Sequence, residues 1–382
     1  MKILFVLTYY RPYWTGLTQY AARVAEGLAN RSHEVSVVCT QHDKKLPFSE
    51  NINKVEVKRT PFLFRFSRSV ISLKFPFQVL KEMLKNETVI AYLPLQEIIF
   101  ITMFAKLFRK KLYLVHNGDL VLPREGGILN RILEKVYYLS SAFAIKNSEG
   151  IVVHTEDYAE NSKLLSRYKQ KWIVAQPPVL IPKITQADMD DFKKIKKIPK
   201  KRLIGFSGRF VEEKGIEFLL DAIPLVLKKV SKAHFVLAGQ YKVGYENYWA
   251  RISSKIEKNK INITLVGLLD DKKEIFVFDK ILDVFVQPSL TDCFPLGQIE
   301  AMLLGAPSVC SDIPGARWAI KQTGMGVLVQ AADPNSLATG IVEVINNKEE
   351  YQKNWEKMGE IFNYEKSIDR FERIFIKGQK NN

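Results

Sequence analysis

Residues 1–40, MKILFVLTYYRPYWTGLTQYAARVAEGLANRSHEVSVVCT, contain a complete strand–helix–strand unit. Lys2–Leu7 (KILFVL) is a short, almost wholly apolar run, the pattern of a parallel strand buried on both faces. Thr18–Leu28 follows with Tyr20, Val24 and Leu28 at helical spacing, and Val35–Cys39 (VSVVC) is the next strand. Parallel strands joined through a helix define the repeating unit of a doubly wound α/β sheet.

The same rhythm runs outward from this unit. Val89–Tyr92, Leu112–Val115 and Gly150–Val153 continue the strand series. Gln176-Pro177-Pro178-Val179 then leads into a polar, lysine-rich stretch, Asp188–Arg202, which reads as an interdomain linker. A second series follows, with strands at Leu203–Phe206, His234–Leu237, Ile263–Val266, Val284–Gln287 and Ser308–Cys310. Glu217–Val230 and Leu296–Leu304 have helical spacing. The expectation is two Rossmann-like halves facing each other, with a ligand between their strand C-terminal edges. The length agrees: 382 residues exceed the roughly 250–300 at which one core stops growing.

Composition narrows the class. The chain is 47% apolar and 26% charged, an ordinary globular balance. Its three cysteines, Cys39, Cys293 and Cys310, have no CxxC spacing, which excludes a cysteine zinc site and a disulfide scaffold. The longest apolar stretch, Ile98–Phe104 (IIFITMF), falls well short of the roughly 20 residues of a membrane span. Ile3–Leu7 is too short for the apolar core of a signal peptide, so a cytoplasmic protein is expected.

The net charge of +16 is uneven. Residues 1–187 carry +12 and residues 188–382 carry +4. Lys58–Lys85 holds seven basic residues against one acid, Glu82, with phenylalanines 62, 64, 66, 75 and 77 interleaved. Arg109-Lys110-Lys111 is a second basic cluster. Cations among aromatics suit an anionic membrane surface. Single-stranded nucleic acid, or a solvated helix face with its aromatics in the core, would give the same pattern.

Two motifs carry chemistry. In Gly205-Phe-Ser-Gly208-Arg209-Phe-Val-Glu-Glu-Lys214-Gly215, a strand runs through glycine into an arginine, with a lysine five positions later at a helix start. Arginine grips phosphate with two parallel hydrogen bonds, lysine adds a point charge, and helix-start amides add donors. A loop with solvated Arg209 and Lys214 is the alternative. In Pro288-Ser-Leu-Thr-Asp292-Cys-Phe294-Pro295-Leu296-Gly297-Gln-Ile-Glu300-Ala-Met302, two carboxylates stand eight positions apart. Asp292 and Glu300 could accept hydrogen bonds from sugar and ribose hydroxyls, with the amides of Leu296 and Gly297 meeting a phosphate. Alternatively, Asp292 caps the helix, Pro295 opens it and Glu300 is a surface acid.

Taken in order, these pieces resemble the retaining family-4 glycosyltransferases of GT-B fold over nearly the whole chain. The opening βαβ unit, GFSGRFVEEKGIEFLLDAI, PSLTDCFPLGQIEAMLLGAPSVCSDIPGAR and GMGVLVQAADPNSLATGI carry the resemblance. It implies an acceptor-side domain over 1–185, a nucleotide-sugar domain over 186–355, and a last segment, 356–382, crossing back to the first domain, with closure on the donor. It implies that Gly16 approaches the donor phosphate and that Arg209 and Lys214, beside Gly208, neutralise the leaving diphosphate. The backbone at Leu269 meets the base. Asp292 holds the donor sugar, Glu300 the ribose, and Phe294, Leu296 and Gly297 complete the donor site. His116, in Leu114-Val115-His116-Asn117-Gly118, stands at the sugar and acceptor end. The chain departs from the family at Asp292, where glutamate is usual. It departs also at Pro295, at Thr15-Gly16 in place of paired glycines, and at Pro177-Pro178.

The implied reaction moves a sugar with retention from a nucleotide-diphosphate sugar to a glycan, lipid or lipid-linked acceptor. It needs no metal, no cofactor and no enzymic nucleophile. Asp188-Met189-Asp190 has the form of a metal motif but follows no strand, and the five histidines lack ligand spacing. The first loop lacks GxGxxG, which argues against a nicotinamide. A sugar-nucleotide epimerase or hydrolase of the same fold, and a non-catalytic basic membrane-binding module, are the competing readings. Nucleic acid is not expected as a partner.

Overall fold

The computed structural model describes residues 1–13, 15–66, 69–120, 122, 127–269 and 272–378. The chain divides into two compact units, Met1–Pro178 with Asn363–Asn382, and Val179–Phe362.

The first unit begins β1 (Lys2–Val6), α1 (Gly16–Asn30), β2 (Glu34–Thr40), β3 (Ser49–Ile52), β4 (Val55–Thr60). A small pair, β5 (Phe64–Phe66) and β6 (Ser69–Ile71), precedes α2 (Phe75–Lys85). Then come β7 (Thr88–Leu93), α3 (Ile98–Leu107), β8 (Lys111–His116), α4 (Gly127–Asn147), β9 (Gly150–Val153), α5 (Glu156–Asn161) and β10 (Trp172–Val174). The main sheet has the order β10-β9-β8-β7-β1-β2-β4-β3. Chain order reverses between β1 and β7. Period-2 alternation sends Leu4 and Val6 into a core shared with α2, α3 and α4. Phe5 faces the other side, stacked 6.0 Å from Tyr92.

One strand departs from the expected all-parallel sheet. β3 runs antiparallel to β4 at the edge. Asn53 and Lys54 both have positive φ, 49° and 68°, the geometry of a tight two-residue hairpin turn.

The second unit contains α6 (Gln186–Ile195), β11 (Arg202–Ser207), α7 (Ile216–Leu227), β12 (Ala233–Ala238), α8 (Tyr248–Lys258), β13 (Ile263–Gly267) and α9 (Lys272–Lys280). It continues with β14 (Val284–Gln287), α10 (Leu296–Leu303), β15 (Ser308–Ser311), α11 (Arg317–Thr323), β16 (Gly326–Val329), α12 (Pro334–Asn346), α13 (Lys348–Gln352) and α14 (Trp355–Ile361). Its sheet is wholly parallel, in the order β13-β12-β11-β14-β15-β16. That is the Rossmann order, with its switch point between β11 and β14.

Three sequence expectations need correction. The lysine-rich stretch is not a linker, because its first half is α6, capped by Thr185 and buried through Phe192 against the core of the second unit. The boundary accordingly falls after Pro178, not after 185, since Val179 packs with Phe294, Ile299 and Met302. At the other end, Met358 and Phe362 pack in that same cluster, so the return to the first unit begins at Asn363, not at 356. There α15 (Tyr364–Phe375) lies on α1, and the ring of Phe371 is 5.8 Å from Tyr20. Arg31 reaches three of its carboxylates, Glu365 and Glu372 at 2.9 Å and also Asp369.

The basic run 58–85 is divided between surface and interior: Lys74, Lys81, Phe64 and Phe77 are exposed, whereas other members are paired or buried. Lys58 is paired with Glu82 at 2.8 Å and Lys85 with the same carboxylate at 3.1 Å. The Arg59 side chain is fully buried, bound to Glu50 and to the carbonyls of Pro47 and Arg11. Phe75 is buried in the core. Arg68 lies outside the described residues.

Candidate active site

The switch point of the second sheet puts two loops side by side, the one after β11 and the one after β14. In an open α/β sheet this is where ligands bind. β11 ends at Ser207, and the Gly208 amide donates to the Ala238 carbonyl at 3.0 Å. Gly239 has φ +132°, and a Cβ there would stand 1.8 Å from the Gly208 carbonyl oxygen. Only glycine permits the two strand ends to approach this closely.

Arg209 leaves this junction toward solvent. Its Nη2 donates to Glu213 at 3.1 Å, and its Nη1 to the Tyr245 hydroxyl. Past it, a 3-10 turn, Glu212–Lys214, ends on Gly215 in the left-handed region, φ +62°. A Cβ on Gly215 would meet the Pro288 carbonyl oxygen at 2.0 Å. The Leu290 amide donates to the Glu213 carbonyl at 2.8 Å. These contacts dock the first motif onto the second.

Their result is an ion pair across 78 positions of sequence. Lys214 Nζ lies 2.5 Å from Asp292 Oδ2, with side chains 19% and 10% exposed. Gln287 Nε2 donates to the same oxygen at 3.2 Å, and to Ser289 Oγ at 2.7 Å. Asp292 is therefore not the cap of α10. Pro295 occupies the cap position and no side chain caps the helix. α10 begins at Leu296, as the helical spacing of Leu296–Leu304 predicts, with Pro295 just ahead of it and not as its first helical residue. The start of α10 abuts β11, because a Cβ on Gly297 would lie 3.1 Å from Ser207 Oγ. Uncapped first-turn amides and two cations make this edge attractive to an anion.

Glu300 is not a surface acid either. It is 7% exposed, on the inner side of α10. Beneath it Asp279 of α9 is fully buried, and burial, followed by the charge of Glu300, pushes its carboxyl well above the usual range. The site thus sets one paired carboxylate, Asp292, near the cations and a second, Glu300, over a buried carboxyl whose ionisation is disfavoured.

Leu269 and Phe294 contribute differently from the polar groups. The Leu269 side chain belongs to the core, so only its backbone is left to meet a ligand. The Phe294 ring is likewise internal, 6.0 Å from Trp318 and 6.1 Å from Phe362, and its role is to seat the loop.

Several supporting residues had escaped the sequence motifs. Tyr245 and Glu246 sit in the loop after β12, where Glu246 accepts the Glu212 amide at 2.6 Å. Tyr241 accepts the Gly267 amide at 2.5 Å, and burial pushes its hydroxyl up to about 12. The aromatic cluster Tyr241, Tyr245, Tyr248 and Trp249 beside Gly239 was the available signal.

The first unit holds the other two expected residues. Gly16 opens α1 directly after Thr15, whose side chain forms a reciprocal capping box with Thr18. His116 is the last residue of β8 and is buried. Its Nδ1 accepts the Gly118 amide at 3.3 Å, so the ring proton sits on Nε2, 3.4 Å from Asp119 Oδ1. Asp119 also accepts from Ser162 Oγ at 2.7 Å and the Lys163 amide at 2.8 Å. Burial raises the Asp119 carboxyl, but the hydrogen bond from His116, with these donors, outweighs it and holds it below its ordinary value. His154, fully enclosed, is pushed down to about 3 by burial and stays neutral.

Asp188 of the DxD-like triplet is spoken for. It completes the cap of α6 and pairs with Lys273 at 2.6 Å, and that hydrogen bond, first, lowers its carboxyl to about 2.

Paired cations and two carboxylates at a switch point can meet a ligand that carries both phosphate and hydroxyl groups. Residues 188–361 match the family model of glycosyl transferases group 1. An uncharacterized glycosyltransferase of Methanocaldococcus jannaschii is 25% identical over 379 residues, covering 91% of this chain and 90% of that protein. Sucrose-phosphate synthase from Thermosynechococcus elongatus superposes with TM-score 0.74 at 18% identity, covering 98% of each chain. Anabaena HepE, in complex with UDP and glucose, superposes with TM-score 0.78 at 15% identity, covering 99% of this chain and 100% of that one. The second unit accordingly matches the glycosyl transferases group 1 model, and the chain, an enzyme of the glycosyltransferase class, has two Rossmann-like units of GT-B type.

Proposed function

We propose that this enzyme moves a hexose, with retention of configuration, from a nucleotide-diphosphate sugar to a glycan, lipid or lipid-linked acceptor in glycoconjugate synthesis. The Lys214–Asp292 pair at the switch point, beside Arg209 and the uncapped start of α10, is the observation that carries this reading. Breaking the bond between sugar and diphosphate builds negative charge on the leaving phosphate. Arg209, Lys214 and the amides of Leu296 and Gly297 are fixed positive groups placed to stabilise it. Asp292 exchanges its contact with Lys214 for a sugar hydroxyl when the diphosphate takes the lysine. Glu300 accepts from the ribose. With no enzymic nucleophile assigned, the acceptor hydroxyl attacks the face that the phosphate leaves, and the phosphate oxygen takes its proton. His116, its proton held on Nε2 toward Asp119, serves the sugar and acceptor side. The presence of UDP and glucose in HepE supports a nucleotide-linked hexose as donor.

A thermal-shift screen of UDP-, GDP- and ADP-sugars tests the donor, because a ligand that binds only the folded state raises its melting point. One class should stabilise the wild type, and Lys214→Ala should abolish the shift. Analysis of products with the stabilising donor then tests the reaction. A glycoside supports transfer; free sugar or an epimer, without glycoside, would replace it with hydrolysis or epimerisation.

A further inference from the structure

No helix among the described residues is long and apolar enough to cross a membrane. The first unit nevertheless exposes an extended apolar face. α4 buries Tyr137, Ser141, Ala144 and Ile145 against the sheet. On its opposite side Ile128, Ile132, Val136 and Leu139 recur at helical spacing and are exposed, Ile128 by 76% and Leu139 by 64%. The neighbouring α3 adds exposed Met103 and Leu107, the latter by 71%. Single exposed leucines are ordinary, whereas a continuous stripe over two packed helices is not.

The charges around this stripe select its partner. Lys106, Arg109, Arg131, Lys135 and Lys146 are exposed, and none has an ion-pair partner among the described residues. Within α3, its following turn and α4, the single carboxylate is Glu134, which accepts the Leu122 amide at 2.7 Å. A second copy of this chain, meeting the face by two-fold symmetry, would set like charges against like. Nucleic acid would match the charge but not the aliphatic stripe. An anionic bilayer satisfies both, with acyl chains under the stripe and phosphate headgroups around the cations.

We propose that the α3–α4 face docks the enzyme on an anionic phospholipid surface. α4, about 31 Å long, lies in the plane of the headgroups. The loop that follows His116 is strapped to this helix, with Tyr138 donating to the Leu120 carbonyl at 3.3 Å and Leu122 bound to Glu134. Docking therefore brings the His116–Asp119 pair close to the interface, where a lipid-linked acceptor would present its hydroxyl. The docking itself does not depend on sugar transfer, and its test reads binding alone.

The test is flotation of the full chain with vesicles of phosphatidylglycerol and phosphatidylcholine, and with phosphatidylcholine alone. The wild type should float with the anionic vesicles and lose most of this binding in high salt or without the anionic lipid. The double variant Val136→Gln/Leu139→Gln should partition about tenfold less or weaker still. Its melting temperature should be unchanged, because both side chains are already in solvent. Arg131→Glu/Lys135→Glu should weaken binding at low salt, whereas Ile261→Gln, an exposed apolar position of the second unit, should not. Absence of wild-type flotation, or equal flotation of the Val136/Leu139 double variant, would overturn the proposal. So would a wild-type dimer that the same variant converts to monomer, since the face would then be an interface between copies.

Discussion

The loops after β11 and β14 and the outer face of α3 and α4 are opposites. At the first, cations are paired: Arg209 with Glu213, Lys214 with Asp292. Glycines there let backbone meet backbone at distances that a Cβ would forbid. At the second, cations are unpaired among the described residues and apolar side chains stand in solvent. A small charged ligand is best held by groups already fixed in place, because their reorganisation is then not charged against binding. A membrane needs no such fixing, since it conforms to any face with the right charge and polarity. Preorganisation thus marks the proposed chemical site, and unsatisfied surface marks the proposed docking face.

The sharpest way to break this contrast is Arg209→Ala. Turnover should fall by about 10²–10³-fold, the usual effect of removing one charge-stabilising donor, while the melting temperature barely moves. A variant with near-wild-type kcat/KM would remove Arg209 from the site. Gly215→Ala probes the packing that creates the ion pair. Left-handed φ and the Pro288 carbonyl oppose the new methyl, so chemical denaturation should report a loss of about 3 kcal/mol. Unchanged stability would mean that the 3-10 turn is free to move.

Asp279→Asn sharpens the electrostatic side. Burial, then the charge of Glu300, raises the Asp279 carboxyl above its value in the unfolded chain, so the fold disfavours its ionised form. The wild type therefore loses stability as pH rises above the unfolded value near 4, up to the folded value. The asparagine variant should be more stable by about 1–2 kcal/mol at pH 7, with the gap closing toward pH 4. A pH-independent difference would show that ionisation is not the cause. The smallest effect is expected at Arg31→Ala, because two of its three carboxylate partners on α15, Glu365 and Asp369, are largely exposed. The expected cost is about 1 kcal/mol, less in high salt.

The central strands were legible because a strand covered on both faces must be apolar whatever packs on it. KILFVL, VSVVC and their counterparts in the second half form strands in the expected order. Asp292, Glu300, Arg209 and Lys214 were legible through the resemblance; by spacing alone, a helix cap and a surface acid fit equally well. α6 was missed because charge dominates Asp188–Arg202 and conceals the buried spacing of Met189 and Phe192. β3 was missed because an edge strand is half exposed and carries no apolar run. Composition could not divide the basic run 58–85 into exposed and paired members, because it counts cations without counting the acids folded against them. Glu82, buried and its carboxyl held below its ordinary value, takes both Lys58 and Lys85 against the cost of burial.

The order of residues by itself determined the alternation of strands and helices, the two-unit plan and the types of side chain available at the loops. These follow from short-range periodicity, which a linear string records in full. Only the tertiary structure decided which charges are cancelled and which apolar groups stay in water. It joined Lys214 to Asp292 and withdrew Arg59 from solvent, and it left Leu139 outside. Charge pairing and burial depend on distances of a few ångströms between segments far apart in the chain, and such distances exist only once the chain has folded.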